Sequence, residues 1–290
     1  MIDLHCHSTA SDGTDSPTEL VHAASAAGIS VLAITDHDTT AGWDEAAAAV
    51  QGLDRFFTLV RGAEFSCVYL RPGEPPVSLH LLGYLFDPAD GGLRAERLRL
   101  RENRVGRGRA IVENLVAAGY PIRWERVTQI AAGGSVGRPH IGQALMEAGV
   151  VTDVNEAFGE LLSDDSPYYV AKADSEVLTM IGLIRGAGGV PVIAHPWARR
   201  RGRVLDEQAL RELVDAGLAG IEVDHVDHSP QDRDQLRSLA GELHVFTTGS
   251  SDYHGTHKSV RLAAETTDPQ CLQEIVTQAS GVGPVYSPSR

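Results

Sequence analysis

Thiols, lysines and long apolar runs are all scarce in this chain of 290 residues. Its three cysteines, Cys6, Cys67 and Cys271, are far apart and odd in number. That argues against a disulfide framework and against a thiolate zinc site, and it fits a reducing cytoplasm. No run of about 18 apolar residues occurs, so no segment is expected to span a membrane. The N-terminus lacks the basic segment and apolar stretch of a secretory signal, so none is expected. The formal net charge is −14, which argues against a protein that coats nucleic acid with a broad basic face.

The positive charge that is present is mostly arginine and is unevenly spread. Arg94, Arg97, Arg99, Arg101, Arg104, Arg107 and Arg109 crowd one stretch, and Arg199, Arg200, Arg201 and Arg203 another. Each cluster could hold phosphates locally or simply form a solvated face. If RNA is a substrate, the first cluster is where it would run.

Hydrophobic periodicity gives an alternating β/α rhythm. His5 and His7, at alternate positions after an apolar start, share one face of a short strand while Cys6 points away. Ser16-Pro17-Thr18-Glu19 is a capping box with proline at the first helical position, so a helix should run to about Gly28. Buried strands are expected at 30–35, 57–60, 77–84 (pairing near Val68), 190–195, 220–224 and 244–249, with helices at 40–50 and from near Ser175, Asp206, Ser229 and Pro269. From Ala89 to Val170 only helical patterns occur: one long helix over 93–118, then helices at 124–132, 139–148 and 154–162. The expected organisation is a strand-and-helix domain over 1–88 and 173–290, interrupted by a helical insertion over 89–172. Such a frame is a βα barrel or a doubly wound sheet, with chemistry at the carboxyl ends of the strands. The last residues, Ser287 to Arg290, are expected to fray.

Polar residues gather at those strand ends: His5, His7, Asp12, His37, Glu64, His80, His195, Asp252 and His254. Any one of them could be an ordinary satisfied polar group. As a set, on one side of one alternating frame, they point to divalent cations. Imidazole and carboxylate without thiolate suit Zn, Mn or Fe rather than Ca. Nine ligands exceed what one ion needs and suggest two or three, with bridging carboxylates, an arrangement suited to phosphoryl transfer.

His5-x-His7, Thr35-Asp36-His37, Gly62-x-Glu64, His80, His195-Pro196 and Ser251-Asp252-Tyr253-His254 together resemble the polymerase and histidinol phosphatase (PHP) family. The resemblance implies a distorted (β/α)7 barrel, here with the helical insertion as a cap, and a trinuclear Mn, Fe or Zn site. By that resemblance His5, His7, Glu64 and Asp252 hold one ion, Glu64, His80 and His195 a second, and Asp12, His37 and His254 the third. Gly137-Arg138-Pro139-His140-Ile141, Tyr169-Val170-Ala171-Lys172, and Gly220-Ile221-Glu222-Val223 followed by His228-Ser229 resemble a narrower group, the single-domain phosphoesterases. Those hydrolyse nucleoside 3',5'-bisphosphates and short RNA from the 5' end; Ala171 departs from the proline expected there.

The resemblance implies metal-bound hydroxide as nucleophile and a small nucleotide or short RNA as partner, with neither membrane nor obligate protein partner. Arg138, His140 and Lys172 are candidate phosphate-binding residues. Arg138 and His140 open a helix, whose N-terminus itself attracts anions, and arginine offers a planar fork. His228 could bind substrate and donate a proton to the leaving oxygen. Asp36 and Asp38 flank His37 and could orient its ring. Glu222 could serve the site or bond nearby backbone, and Trp197 could stack on a base or pack under the 199–203 loop. The competing readings are a histidinol-phosphate phosphatase, a nucleotide sensor without turnover, and an exonuclease module serving a polymerase.

Overall fold

The computed structural model describes residues 1–288. In chain order the elements are β1 (Ile2–Asp3), α1 (Pro17–Ala26), β2 (Val31–Ile34), α2 (Trp43–Gln51), β3 (Thr58–Tyr69), β4 (Val77–Tyr84), α3 (Gly91–Ala117), α4 (Trp124–Ala131), α5 (Arg138–Glu147) and α6 (Val154–Glu160). The chain then returns to β5 (Ser175–Glu176), α7 (Val177–Gly186), β6 (Val190–Ala194), α8 (Glu207–Asp215), β7 (Gly220–Asp224), α9 (Pro230–Leu243), β8 (Phe246–Gly249), α10 (Pro269–Gln278) and β9 (Val285–Tyr286). The main path of the sheet runs β1-β2-β3-β4-β6-β7-β8. β1, β2 and β3 are parallel, as are β6, β7 and β8, whereas β4 runs antiparallel to both neighbours. Beyond the two outer strands a parallel bridge between Cys6 and Tyr253 draws the edges together, leaving a nearly closed barrel. This is the distorted barrel expected from the sequence, with four helices inserted between β4 and β5.

Local chemistry fixes most of these elements. The Ser16 side chain accepts from the Glu19 backbone N–H while Glu19 takes the Ser16 N–H, the reciprocal box that starts α1. α9 ends where His244 enters the left-handed region at φ 55°, and so β8 begins at Phe246 and not at His244. β3 is longer than periodicity indicates because its second half pairs residue by residue with β4, from Gly62↔Tyr84 to Tyr69↔Val77. At that pairing a Cβ on Gly83 would lie 2.8 Å from the Phe65 ring, so only glycine fits.

The first strand is shorter than expected. The ladder with β2 ends at Asp3, whose carboxylate accepts the Ser251 and Ala263 backbone N–H groups (3.1 and 2.8 Å). Alternation survives through Cys6, whose N–H bonds Thr35 Oγ1 and whose carbonyl accepts the Thr35 N–H. The other end is tied as well: Ser287 Oγ donates to the Arg55 carbonyl and accepts the Phe57 N–H, so it does not fray. The expectation for Ser289 and Arg290 lies outside the described residues.

Two apolar clusters flank the sheet. One, including Leu4, Ala33, Val60, Leu82, Tyr84 and Val192, fills the barrel, with the Tyr84 hydroxyl donating to the Leu4 carbonyl at 2.8 Å. The other packs Leu32, Ile34, Phe65, Phe86, Ile193 and Ile221 against the surrounding helices. A third, with Ile111, Leu115, Val127, Ile141 and Leu145, lies within the four inserted helices. α3 is fastened inward by its arginines. Arg97 donates to Thr40 Oγ1 and the Pro88 carbonyl, Arg99 to the Ala173 carbonyl, Arg104 to Asp38 and Ser66, and Arg107 to the Val170 carbonyl. Four of the seven arginines expected along an RNA path are thus bonded to other parts of the chain.

Candidate metal centre

The nine residues come from segments spread over most of the chain and meet at one mouth of the barrel, but Glu64 and His80 lie inside β3 and β4 and not at strand ends as expected. Eight are buried and His80 is partly exposed. His195 and Asp252 take positive φ (29° and 53°), as does Asp38 at 55°. Non-glycine residues in that region cost energy, and a cluster of them marks a geometry imposed by the surroundings.

Donor atoms converge on shared points. His5 Nε2 lies 3.2 Å from His7 Nε2, 3.3 Å from Glu64 Oε2 and 3.5 Å from Asp252 Oδ1. His7 Nε2 is 3.1 Å from the same Glu64 oxygen and 3.5 Å from the same Asp252 oxygen. The other Glu64 oxygen, Oε1, is 2.8 Å from His80 Nδ1 and 3.1 Å from His195 Nε2. Asp12 Oδ1 is 3.4 Å from His254 Nε2, and Asp12 Oδ2 is 3.8 Å from His37 Nε2. His37 Nδ1 also lies 3.2 Å from Glu64 Oε2, and the His7 and His254 rings stack 4.0 Å apart.

These spacings fit cation binding. Adjacent donors held about 2.1 Å from one ion lie roughly 3.0–3.4 Å from each other. Hydrogen bonding alone explains them poorly, since His80 Nδ1 is close to Glu64 yet makes no hydrogen bond of acceptable geometry. Three groups can be drawn around an ion: His7, Asp12, His37 and His254; His5, His7 and Glu64; and His37, Glu64 and His80.

The outer partners set the ring tautomers, as assigned from the network. His5 Nδ1 donates to Glu222 Oε1 (3.0 Å) and His254 Nδ1 to the Asp252 carbonyl (2.9 Å), leaving each Nε2 lone pair turned inward. His7 Nδ1 faces Ser11 Oγ at 3.4 Å, and that hydroxyl donates to Asp36 Oδ1 at 2.6 Å. Asp36 thus steers His7 through Ser11 instead of orienting His37. Asp38 serves Ser66 and Arg104 and does not touch the His37 ring either.

Protonation follows the same logic. Burial works against ionised Glu64, yet the His80, His37 and His5 rings hold its carboxyl well below the usual range. Burial pushes the His7 and His37 rings down, and His195 is lowered to about 3 by burial and by Arg201. His5 is opposed by burial but raised well above its usual value by Glu64, Glu222 and Asp252. Neutral imidazoles and ionised carboxylates are the states that bind cations, and the acids around His5 call for positive charge there.

Above the cluster lies a cavity of about 1370 Å³. Arg104, Arg107, Arg138 and Lys172 line it from the helical side; Arg200, Arg201, Arg203 and Lys258 line it from the loops after β6 and β8. Arg138 is tied to the Leu162 carbonyl and Asp164 Oδ1, both at 2.7 Å, with its guanidinium over the Phe158 ring. Lys172 Nζ is 3.4 Å from Ser78 Oγ and 3.8 Å from Asp174. His140 is not a cavity wall here. Its Nδ1 accepts the Gly137 N–H at the start of α5, and it borders a separate cavity of about 530 Å³.

His228 departs from its expected role. Its Nδ1 donates to the Val223 carbonyl (2.8 Å) and its Nε2 accepts the Trp197 N–H (3.2 Å), so both nitrogens are committed to backbone. That makes it a strut beneath the 197–203 loop and leaves no nitrogen for a substrate or leaving oxygen. Trp197 packs under the same loop, with its ring N–H on the Leu205 carbonyl and Arg199 over its face.

Two participants escape the sequence reading. His225 is fully buried, and its Nδ1 accepts the Asp227 N–H. Its Nε2 lies 3.5 Å from Asp252 Oδ2. It follows β7 directly, so the rule that found the other strand-end residues could have found it. Arg201 donates to Asp252 Oδ2 and Asp227 Oδ2, both at 2.7 Å. Nothing in sequence separates it from its arginine neighbours.

Comparison with known proteins agrees with this geometry. The PHP domain model matches residues 3–107. A 3',5'-nucleoside bisphosphate phosphatase of Chromobacterium violaceum is 34% identical, over 92% of this chain and 92% of its own length. A 5'-3' exoribonuclease of Salmonella typhimurium is 32% identical, over 87% of this chain and 84% of its own. A solved structure from Bifidobacterium adolescentis, provisionally described as a metal-dependent phosphoesterase, superposes with a TM-score of 0.90 at 34% identity, covering 96% of both chains. With likeness running nearly end to end in sequence and in fold, the chain belongs to the PHP family and is a metal-dependent phosphoesterase, a hydrolase of phosphoric ester bonds.

Proposed function

We propose that the substrate is a small nucleotide, a nucleoside 3',5'-bisphosphate, from which one phosphate is removed. The observation that carries this is the position of Glu64. One oxygen faces His5, His7 and His37 and the other faces His80 and His195, so a single carboxylate links two groups of nitrogen donors beneath a cavity lined by arginines, lysines and aspartates. His5, His7, Asp12, His37, Glu64, His80, His195, Asp252 and His254 would hold two or three divalent ions, Mn by preference and Fe or Zn otherwise. Bound there, the ions would acidify a water and neutralise charge on the phosphate under attack.

The chain's own residues do the rest. Glu222 and Ser11 keep the His5 and His7 lone pairs aimed inward. Arg138 and Lys172 descend from the insertion, which we read as a cap over residues 89–172, to meet the phosphate that is not cleaved. Arg107 stands with them: its guanidinium lies 5.4 Å from the Tyr169 ring centre, and one buried nitrogen has no hydrogen-bond partner. Such a site needs no serine or cysteine nucleophile. The homologues named above act on a nucleoside bisphosphate and on RNA 5' ends, and both substrates present a phosphate on a ribose.

A cavity of about 1370 Å³ exceeds the roughly 300–1,000 Å³ common for small-ligand sites, which favours short RNA as a second substrate. Among the described residues no helix is long and apolar enough to cross a membrane, and we place the protein in the cytoplasm. Phosphate release from a panel of nucleoside bisphosphates, short 5'-phosphorylated RNA and histidinol phosphate, with Mn supplied, tests the reading. Turnover of a 3',5'-bisphosphate is the expected result; turnover of histidinol phosphate alone would reject it.

A further inference from the structure

We propose that Arg201 is a built-in competitor for one of the cations. Its guanidinium and an ion would use the same lone pair of His195, so filling that site displaces the 199–202 turn from the cavity. The inference rests on the cation-binding reading above.

Arg201 Nη1 lies 3.2 Å from His195 Nε2. An arginine only donates, so this nitrogen is presenting its lone pair. The same nitrogen is 3.1 Å from Glu64 Oε1, which is itself 2.8 Å from His80 Nδ1. With the His195 lone pair turned outward and Glu64 ionised, two acceptors face each other, and something positive must sit beside them. The guanidinium supplies that charge. A divalent ion shared by His195, Glu64 and His80 would supply it from the same place, and one sp² lone pair cannot serve both.

The surroundings allow exchange. Asp252 Oδ2 is held by Lys258 Nζ at 2.7 Å as well as by Arg201, so it keeps a cationic partner when Arg201 leaves. Arg201 Nε bonds Asp227, a carboxylate outside the ligand set. The 3₁₀ turn Arg199–Arg201 has no buried residue, and Gly202 after it has φ 133° with open space around it. Arg199, bound to Asp232 and stacked on Trp197, couples that turn to a tryptophan.

Isothermal titration of the metal-stripped full chain with Mn²⁺ tests this, comparing the wild type with Arg201→Gln and with Arg200→Gln as a charge control on the same turn. Arg201→Gln should bind the weakest ion about tenfold more tightly, the scale of losing one charge-assisted competitor. Arg200→Gln should match the wild type. Filling that ion should also change Trp197 emission, measured against Trp197→Phe, in the wild type and not in Arg201→Gln. Unchanged or weaker Mn²⁺ binding by Arg201→Gln at normal stoichiometry overturns the competitor. Absence of Mn²⁺ uptake by every variant overturns the cation-binding reading and this inference with it.

Discussion

Glu222 holds His5 from behind. Its Oε1 accepts a hydrogen bond from His5 Nδ1 at 3.0 Å, while its Oε2 accepts the backbone N–H of His195 at 2.9 Å. One carboxylate on β7 therefore fixes the ring at one end of the donor cluster and the backbone at the other. Burial opposes its ionisation, but His5 holds its carboxyl down at about 2.

Glu222→Ala should lower metal affinity by about 10–100-fold, the usual effect of removing such a partner. Equilibrium dialysis followed by metal analysis measures it. Retention of wild-type affinity would show that Glu222 only braces the backbone.

Arg104 pairs with Asp38, a fully buried residue at positive φ. Arg104→Ala leaves that carboxylate with Ser66 alone and should cost about 3 kcal/mol, the low end for breaking a buried pair. Urea unfolding with an unchanged midpoint would contradict it. Arg109→Ala, which breaks an exposed pair with Glu113, should leave the midpoint where it is.

His195 titrates near 3 in the folded chain, lowered by burial and Arg201, against about 6.5 when unfolded. Between those values the unfolded state binds a proton that the folded state does not, so stability falls as pH falls through the window. The contribution is about 1.4 kcal/mol per pH unit. Bound cations press the same way, since they need the unprotonated nitrogen. Unfolding of the metal-stripped protein from pH 7 to pH 4 should show a shallower loss in His195→Asn than in the wild type; parallel curves would refute the assignment.

Arg138 is held by Asp164, with side-chain exposures of 21% and 57%. Arg138→Met should raise KM for a bisphosphate about tenfold or more with a smaller change in kcat, as expected for a charge-assisted phosphate contact. Asp164→Asn removes a competitor for the same guanidinium and should lower KM. Steady-state kinetics decide, and a kcat effect without a KM effect would place Arg138 elsewhere.

The strand-end pattern was legible at His37, just after β2, and His195, directly after β6, because strands end where the sheet delivers its side chains to one mouth; Glu64 instead lies inside the long β3. β4 likewise shows its alternation, with apolar Val77, Leu79 and Leu81 separated by Ser78 and His80. What stayed hidden depends on partners distant in sequence. Whether His228 is free or bound is decided by the Trp197 N–H, thirty-one residues away. The length of β3 is set by its hairpin with β4, and Arg97, Arg99, Arg104 and Arg107 are turned by partners distant in sequence: Thr40, the Ala173 carbonyl, Asp38 and the Val170 carbonyl. Arg201 differs from Arg200 only in what the fold puts beside it.

The account stands on Glu64 being shared between ions. Metal content per chain, measured on wild type, Glu64→Gln and Asp12→Asn after saturation with Mn and gel filtration, tests this most directly. The wild type should carry two or three ions, Asp12→Asn one fewer, and Glu64→Gln at least two fewer. Full metal content in Glu64→Gln would contradict it.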